Sequence, residues 1–401
     1  FPAHEQHHNN SFLIAACVMG QSNMAAGATI GSNHNSRTND NEVVAGRGFW
    51  PGLCTSIKHS CRFASYTLLS KADYPAELNI PLPFSLLSNN TKEDRLEVTP
   101  NFWWSHNMYA LARNNWKYKT RDKRVTKTQN IEFDTFAPDS MEEVIQARAL
   151  LELWTAKAWY RKENKPFDTL TDGQLRAKGR ELFDGDSTTV DALEVFGENM
   201  EKSDRCVLIR KPRRAYHAYG DMLVHYAVMN AMDYIEANPG ETLSSMSAFL
   251  KSRRQREWVN LGGQLMMTSE FDRIRADIRS GKLASWKDIH KRYNDIWRRY
   301  PVDKLRHAYL SLCDLMGVDK MDAAAWQRAI GEEERIQRFI CDAVHDSRMK
   351  DHENPFRKAT YRNAEEMTAA IGTLEDNGFV KQIRSETETN LKRLEELRLR
   401  I

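Results

Sequence analysis

From Phe12 the chain keeps a beat of six residues: FLIAAC, VMGQSN, MAAGAT, IGSNHN. The leading positions, Phe12, Val18, Met24 and Ile30, are all large and apolar. Small residues follow them at Ala25 and Gly31 and recur in fifth place at Ala16, Ser22 and Ala28. A narrow triangular coil accepts one large side chain per face and only small ones beside its corners, so this period predicts a parallel β-helix built from hexapeptide repeats. Gly20, Asn23 and Gly27 stand where corners call for positive φ. The beat fails at His34, whose imidazole is too large and polar for the fifth place. The chain is therefore expected to leave the coil as the loop NHNSRTNDNEVVAGRGFWPG and to rejoin it near Pro51. Ile57, Phe63 and Leu69 restore the register, with Ala64 and Thr67 at small positions. The three prolines of YPAELNIPLPF should close the regular coils. The competing arrangement is a small sandwich of short strands. A parallel helix this short has open ends, which predicts caps, further coils or partner chains.

Later the period changes. The stretch DSMEEVIQARALLELWTAKAWYRKENKP carries an apolar stripe at Val144, Ala147, Leu151, Trp154 and Ala158, a capping box at Ser140 and Glu143, and a stop at Pro166. Further helices are predicted over 170–184, 213–237, 269–280, 285–299, 302–316, 322–348, 362–374 and 380–400. At 401 residues the chain exceeds what one core usually fills. The expected layout is a β-helix over 1–90, an aromatic and basic connector over 91–138, and an α-helical domain over 139–401.

Its 58 basic and 55 acidic residues leave a formal charge of +3, which supplies no strong field for nucleic acid or an anionic membrane. Basic runs such as KYKTRDKR read as solvated faces. The six cysteines are scattered without a CxxC pair, and no apolar run approaches the ~20 residues of a membrane span. A reduced, cytoplasmic protein is expected. The opening FPAHEQHHNNSF has neither an initiator Met nor a signal-peptide pattern, so Phe1 is not expected to be the natural start.

The strings HHNNSFLIAACVMGQSNMAAGATIGSNHNSR, AGRGFWPGLC and YPAELNIPLPFSLL resemble a bacterial family known only as a domain of unknown function, with hexapeptide repeats and a long helical C-terminal part. The resemblance extends through NMYALARNNWKYKTRDKR to REWVNLGGQLM. It implies a left-handed parallel β-helix followed by a mainly α-helical domain, and carries no established reaction. More distantly, the coils resemble those of hexapeptide acyltransferases and sugar nucleotidyltransferases. The acyltransferase likeness implies a homo-oligomer, typically a trimer, with sites between neighbouring coils and a histidine as base.

Three constellations could carry chemistry. The first is the loop group Asn33, His34, Asn35, Arg37, Asp40 and Arg47, joined by Lys58 and His59 on the next coil. A histidine near neutrality can take a substrate proton, and arginines can grip phosphate or carboxylate. The competing account is a loop whose Asn and Asp side chains satisfy its own backbone. The second is the trio His217, Asp221 and His225 at helical spacing, which offers nitrogen and carboxylate to a metal. Its two-turn span of ~12 Å is long for one ion, so Asp–His pairing between helices is the expected outcome and no metal is assigned. The third is the Gly262-Gly263 pair in VNLGGQLM, which fits no phosphate-binding fingerprint and reads as a helix break or close packing. In the connector, Trp103 and Trp104 are expected mainly as packing, with ligand stacking as the second reading.

Together these features point to a transferase acting on a sugar or nucleotide-sugar, with His34 or His59 as general base. In the acyl-transfer version the donor would be a coenzyme A thioester. The alternative is a non-catalytic metabolite-binding or oligomerisation module of a larger protein.

Overall fold

The computed structural model describes residues 5–6, 12–13, 16–30 and 42–401, with side chains over 17–29 and 42–401. The described N-terminal strands up to Asn79–Ile80 are two or three residues long, and left-handed residues turn the chain after several of these brief runs. Gln21, Cys54, Ser60, Tyr66 and Phe84 have φ of 63°, 51°, 63°, 56° and 58°, and Gly27 and Gly48 lie near 70°. For residues with a side chain that geometry costs roughly 1–2 kcal/mol each. Packing offsets it at Tyr66 and Phe84, whose buried rings stack with centroids 4.8 Å apart.

One four-stranded parallel sheet joins Phe12–Leu13, Thr29–Ile30, Ser56–Ile57 and Asp73–Tyr74, placing Leu13, Ile30, Ile57 and Tyr74 in one row. A second joins Ala16–Val18, Val43–Ala45, Arg62–Phe63 and Asn79–Ile80. The largest, of six strands, is mixed. Trp50–Pro51, Leu68–Leu69 and Leu86–Asn90 run parallel, Arg95–Thr99 pairs antiparallel to the last, and Val207–Ile209 and Val195–Gly197 complete it.

These sheets correct the expected fold class. The described strands form small sheets of two to six strands in a mixed α/β protein, not a left-handed parallel β-helix followed by an α-helical domain. The largest sheet turns antiparallel after Asn90 and recruits strands from beyond the first long helix. A further antiparallel hairpin, Trp258–Leu261 with Gln264–Met267, lies within the half predicted to be helical. The hexad-leading residues do sit on strands, and Val18, Met24, Ile57, Phe63 and Leu69 are buried. A six-residue period reports where short strands and corners alternate. It says nothing of how later strands join.

Two compact units are present, neither continuous in sequence. One comprises Phe1–Phe102, Lys127–Tyr219 and Arg256–Trp297; the other comprises Trp103–Thr126, Gly220–Gln255 and Arg298–Ile401. In the first, the helix Pro138–Lys162 buries Val144, Ala147, Leu151, Trp154 and Ala158, the predicted stripe. Its start is one turn earlier than the capping-box reading, because Pro138 at the first helical position presets φ and gives up no needed donor. Ser140 therefore sits inside the first turn, its hydroxyl accepting from the Ala137 amide at 3.2 Å. Gly262 and Gly263 are the corner of the hairpin, with φ of 67° and 106°, rather than a helix break. The helices predicted over 285–299 and 302–316 are one, Trp286–Met316, with Pro301 inside it. In the second unit, Ala323–Glu353 packs against both Met108–Arg121 and Gly378–Arg398.

Candidate functional site

The described concave surface nearest the predicted residues lies in the first unit, where two corners of the small sheets meet the loop between Val195–Gly197 and Val207–Ile209. The corner after Ser56–Ile57 brings Lys58, His59 and Ser60; the segment between Asp73–Tyr74 and Asn79–Ile80 brings Glu77. The loop is tied down by backbone bonds: the Lys202 amide donates to the Glu77 carbonyl and the Asn79 amide to the Met200 carbonyl, each at 2.9 Å. Glu201 is buried beneath it and pairs with Arg205, which also reaches Asn89 Oδ1 at 2.9 Å. The result is a cleft of about 610 Å³ whose walls include Ser60, Glu77, Asn79, Asn199, Lys202 and Asp204.

Charges of both signs face it. Lys58 Nζ lies 3.1 Å from Glu77 Oε1 and Lys202 Nζ 3.8 Å from the same oxygen. Glu77's own amide, followed by the Lys58 ammonium, holds its carboxyl below the usual range. His59 is 8% exposed and is not among the lining residues; its Nδ1 stands 3.3 Å from the Ser60 hydroxyl. Behind them the Cys61 thiol donates to the Lys58 carbonyl at 3.0 Å and accepts from the Leu78 amide at 3.2 Å. Burial pushes this thiol up to about 11, which keeps it un-ionised and poorly nucleophilic.

The predicted loop group divides. Asn33, His34, Asn35, Arg37 and Asp40 lie outside the described residues. Arg47 is interior, 1% exposed, and wholly engaged. Its Nε and Nη2 grip the Asp139 carboxylate at 2.8 and 2.7 Å, and Nη1 donates to Gln21 Oε1 at 2.8 Å and to the Asp134 carbonyl at 2.7 Å. Burial alone would lower the guanidinium's pKa, but the facing Asp139 carboxylate raises it well above normal. Arg47 thus fastens residues 134–139 to the sheets and is not placed to hold a ligand. Of the predicted binding group, Lys58 contacts a residue of the cleft wall, Glu77.

Trp103 and Trp104 are 1% exposed, with the Trp104 ring 5.8 Å from Phe339 and 6.0 Å from His225. The helical trio does not converge: His217 meets the Phe183 carbonyl at 3.2 Å, Asp221 meets Arg335 at 2.5 Å, and His225 meets Glu333 at 2.8 Å. Among the described residues no three His, Cys, Asp or Glu side chains are grouped to hold a metal, and no helix is long and apolar enough to cross a membrane. The reading from sequence missed Glu77, Asn79 and residues 199–204. A usable signal was the polar run GENMEKSDR between the apolar runs LEVF and CVLI, the pattern of a loop joining two paired strands.

No family model matches the chain, and no solved structure matches it. It is 42% identical over 387 residues to an uncharacterized protein of Treponema pallidum (strain Nichols), an alignment covering 96% of this chain and 52% of that protein. The chain thus spans about half the length of the curated relative it matches. These findings correct the expected membership of a hexapeptide-repeat family and the distant likeness to acyltransferases and nucleotidyltransferases. The transferase and nucleotide-sugar expectations lose their support with it, since they rested on that family's coils.

Proposed function

We propose that this chain is a non-catalytic binding module of a longer protein and takes a small zwitterionic metabolite in the cleft beside Ser60 and Glu77. The observation that carries this reading is the lining: carboxylates of Glu77 and Asp204, the ammonium of Lys202, and amides and hydroxyls of Asn79, Asn199 and Ser60 meet around about 610 Å³. That volume suits a metabolite-sized ligand, and the opposed charges suit one with an amino and a carboxyl group. Lys202 is the natural partner of the ligand's carboxylate, and Glu77 with Asp204 of its amine. His59 stands behind Ser60 rather than in the cleft wall, which favours binding over base catalysis. A cytoplasmic homo-oligomer belongs to the same reading; the cysteines, all free thiols, agree with a reduced compartment.

Titration calorimetry of the full chain against amino acids, dipeptides, sugars and sugar phosphates tests it. The expected result is heat with one class of zwitterion and at least a tenfold loss of affinity in Glu77→Gln. At a hundred times its dissociation constant such a ligand should add about 2.7 kcal/mol of stability. The reading fails if no zwitterion binds, or if Glu77→Gln and Asn79→Ala bind it as the parent does.

A further inference from the structure

In the second unit, the last turns of the helices Pro212–Ala237 and Gly378–Arg398 line a cavity of about 200 Å³. Part of the lining is apolar: Met232, Ile235 and Leu397 are buried, and Pro239 stands with them. Four charged side chains complete it, Glu236, Arg393, Glu396 and Arg400. A buried apolar floor beside a few charged groups is the layout of a ligand site, and the volume falls below the ~300–1,000 Å³ of drug-sized pockets, so the ligand it suits is small.

The four charges are not equally open. Arg393 Nε donates to Glu236 Oε1 at 2.5 Å and Nη2 to Glu236 Oε2 at 2.6 Å. Nη2 also reaches Asp233 Oδ1 at 2.7 Å, and Nη1 reaches Asn390 Oδ1 at 3.1 Å. Both oxygens of Glu236 and every guanidinium nitrogen of Arg393 are therefore engaged, and the pair is a fixed wall. Arg400 is tied down at two points: its Nη1 donates to the Pro239 carbonyl at 2.7 Å, and its own carbonyl accepts from the Leu243 amide at 2.8 Å. Among the described residues nothing engages Nε or Nη2 of Arg400, or the Glu396 carboxylate, and both residues are exposed. One cation and one carboxylate thus stand open beside an apolar floor.

We propose that this cavity binds a free aliphatic amino acid. The side chain covers Met232, Ile235 and Leu397, the α-carboxylate takes the open nitrogens of Arg400, and the α-ammonium takes Glu396. The two helix C-termini reinforce that last contact, because their partial negative charge favours a cation. Each part of the ligand answers one part of the lining. The site lies in the second unit and the cleft beside Glu77 in the first, where polar side chains predominate, so neither assignment rests on the other.

Titration calorimetry of the full chain with L-leucine tests the proposal. Glycine, leucinamide and isocaproate serve as ligands that lack the side chain, the carboxylate and the amine in turn. One leucine per chain is expected in this cavity, with each analogue at least tenfold weaker. Arg400→Gln and Glu396→Gln should each cost at least tenfold in leucine affinity. Both residues are exposed, so these variants should fold, and the comparison of ligands needs no variant. The proposal falls if leucine does not bind, if glycine or isocaproate binds as tightly, or if both variants bind leucine as the parent does. It falls equally if the affinity for leucine drops in Glu77→Gln instead, which would put leucine in the cleft.

Discussion

Glu143 accepts the backbone amide of Ser65 at 2.8 Å with a carboxyl that neighbouring atoms enclose, although a margin of the residue still meets solvent. Burial, only partly opposed by that bond, pushes its pKa from 4.5 up to about 7. A carboxyl whose folded-state pKa is raised favours the fold while it is protonated. Its contribution is complete below 4.5 and is lost as pH rises through about 7. Glu143→Gln keeps an acceptor for Ser65 and removes the titration. Denaturant melts at pH 5 and pH 8 should show the variant gaining about 1–2 kcal/mol over the parent at the higher pH, a figure discounted for the solvent margin. Equal slopes with pH in the two proteins would show that Glu143 is already ionised in the fold.

Arg47 joins residues far apart in sequence, reaching Asp139 across 92 positions while holding Gln21 across 26. Arg47→Met would leave a carboxylate, an amide oxygen and a backbone carbonyl facing apolar surface. Breaking one side of such a buried pair costs about 3–5 kcal/mol. Arg47→Lys should recover only part, because an ammonium cannot reproduce the two parallel bonds to Asp139. Urea melts of the three proteins should rank parent, Lys, Met in falling stability. A Lys variant as stable as the parent would mean that charge alone, not the fork geometry, holds residues 134–139 in place.

How far the fold was legible follows from where its information lies. Val18, Met24, Ile57, Phe63 and Leu69 announce their strands because burial and turn spacing are local properties, written within six residues. The helix stripe from Val144 to Ala158 is legible for the same reason. The arrival of Val207 beside Leu96 is not local, and nothing in either segment names its partner. Arg47 was misread for a related cause. An arginine in a polar loop looks like a ligand holder until Asp139 is brought to it from another element. The cleft shares this limit, since Glu77 and the loop carrying Lys202 are joined by backbone bonds that any sequence could make.

Gly179 shows how tightly two helices can be set. A β-carbon built on it would stand 2.1 Å from the Glu152 carbonyl oxygen, which belongs to backbone and cannot swing aside. Gly179→Ala should therefore push Asp172–Asp184 away from Pro138–Lys162 and cost roughly 1–3 kcal/mol, despite alanine's better helix propensity. Gly240→Ala is the control: nothing lies within 4 Å of its added carbon, and its effect should stay within about 0.5 kcal/mol. Thermal melts of the pair read the difference directly. If both alanines were neutral, the contact between these helices would have to be looser than its geometry.

His307 carries the opposite pH dependence from Glu143. It is buried, with Nδ1 3.2 Å from the Tyr226 hydroxyl, and burial followed by the nearby Arg254 cation lowers its pKa from 6.5 to about 3. A histidine depressed in this way stabilises the fold while neutral. The contribution is complete above 6.5 and is lost as pH falls toward about 3. At pH 5 the loss amounts to about 2 kcal/mol. His307→Gln, which still offers Tyr226 a polar partner, should melt below the parent at pH 8 and close that gap at pH 5. Combined with Glu143→Gln it should leave a chain whose stability varies less between pH 5 and pH 8 than either single variant's. Because the two contributions oppose each other in the parent, single variants that each kept the parent's pH dependence would place the titration on other groups and overturn both assignments.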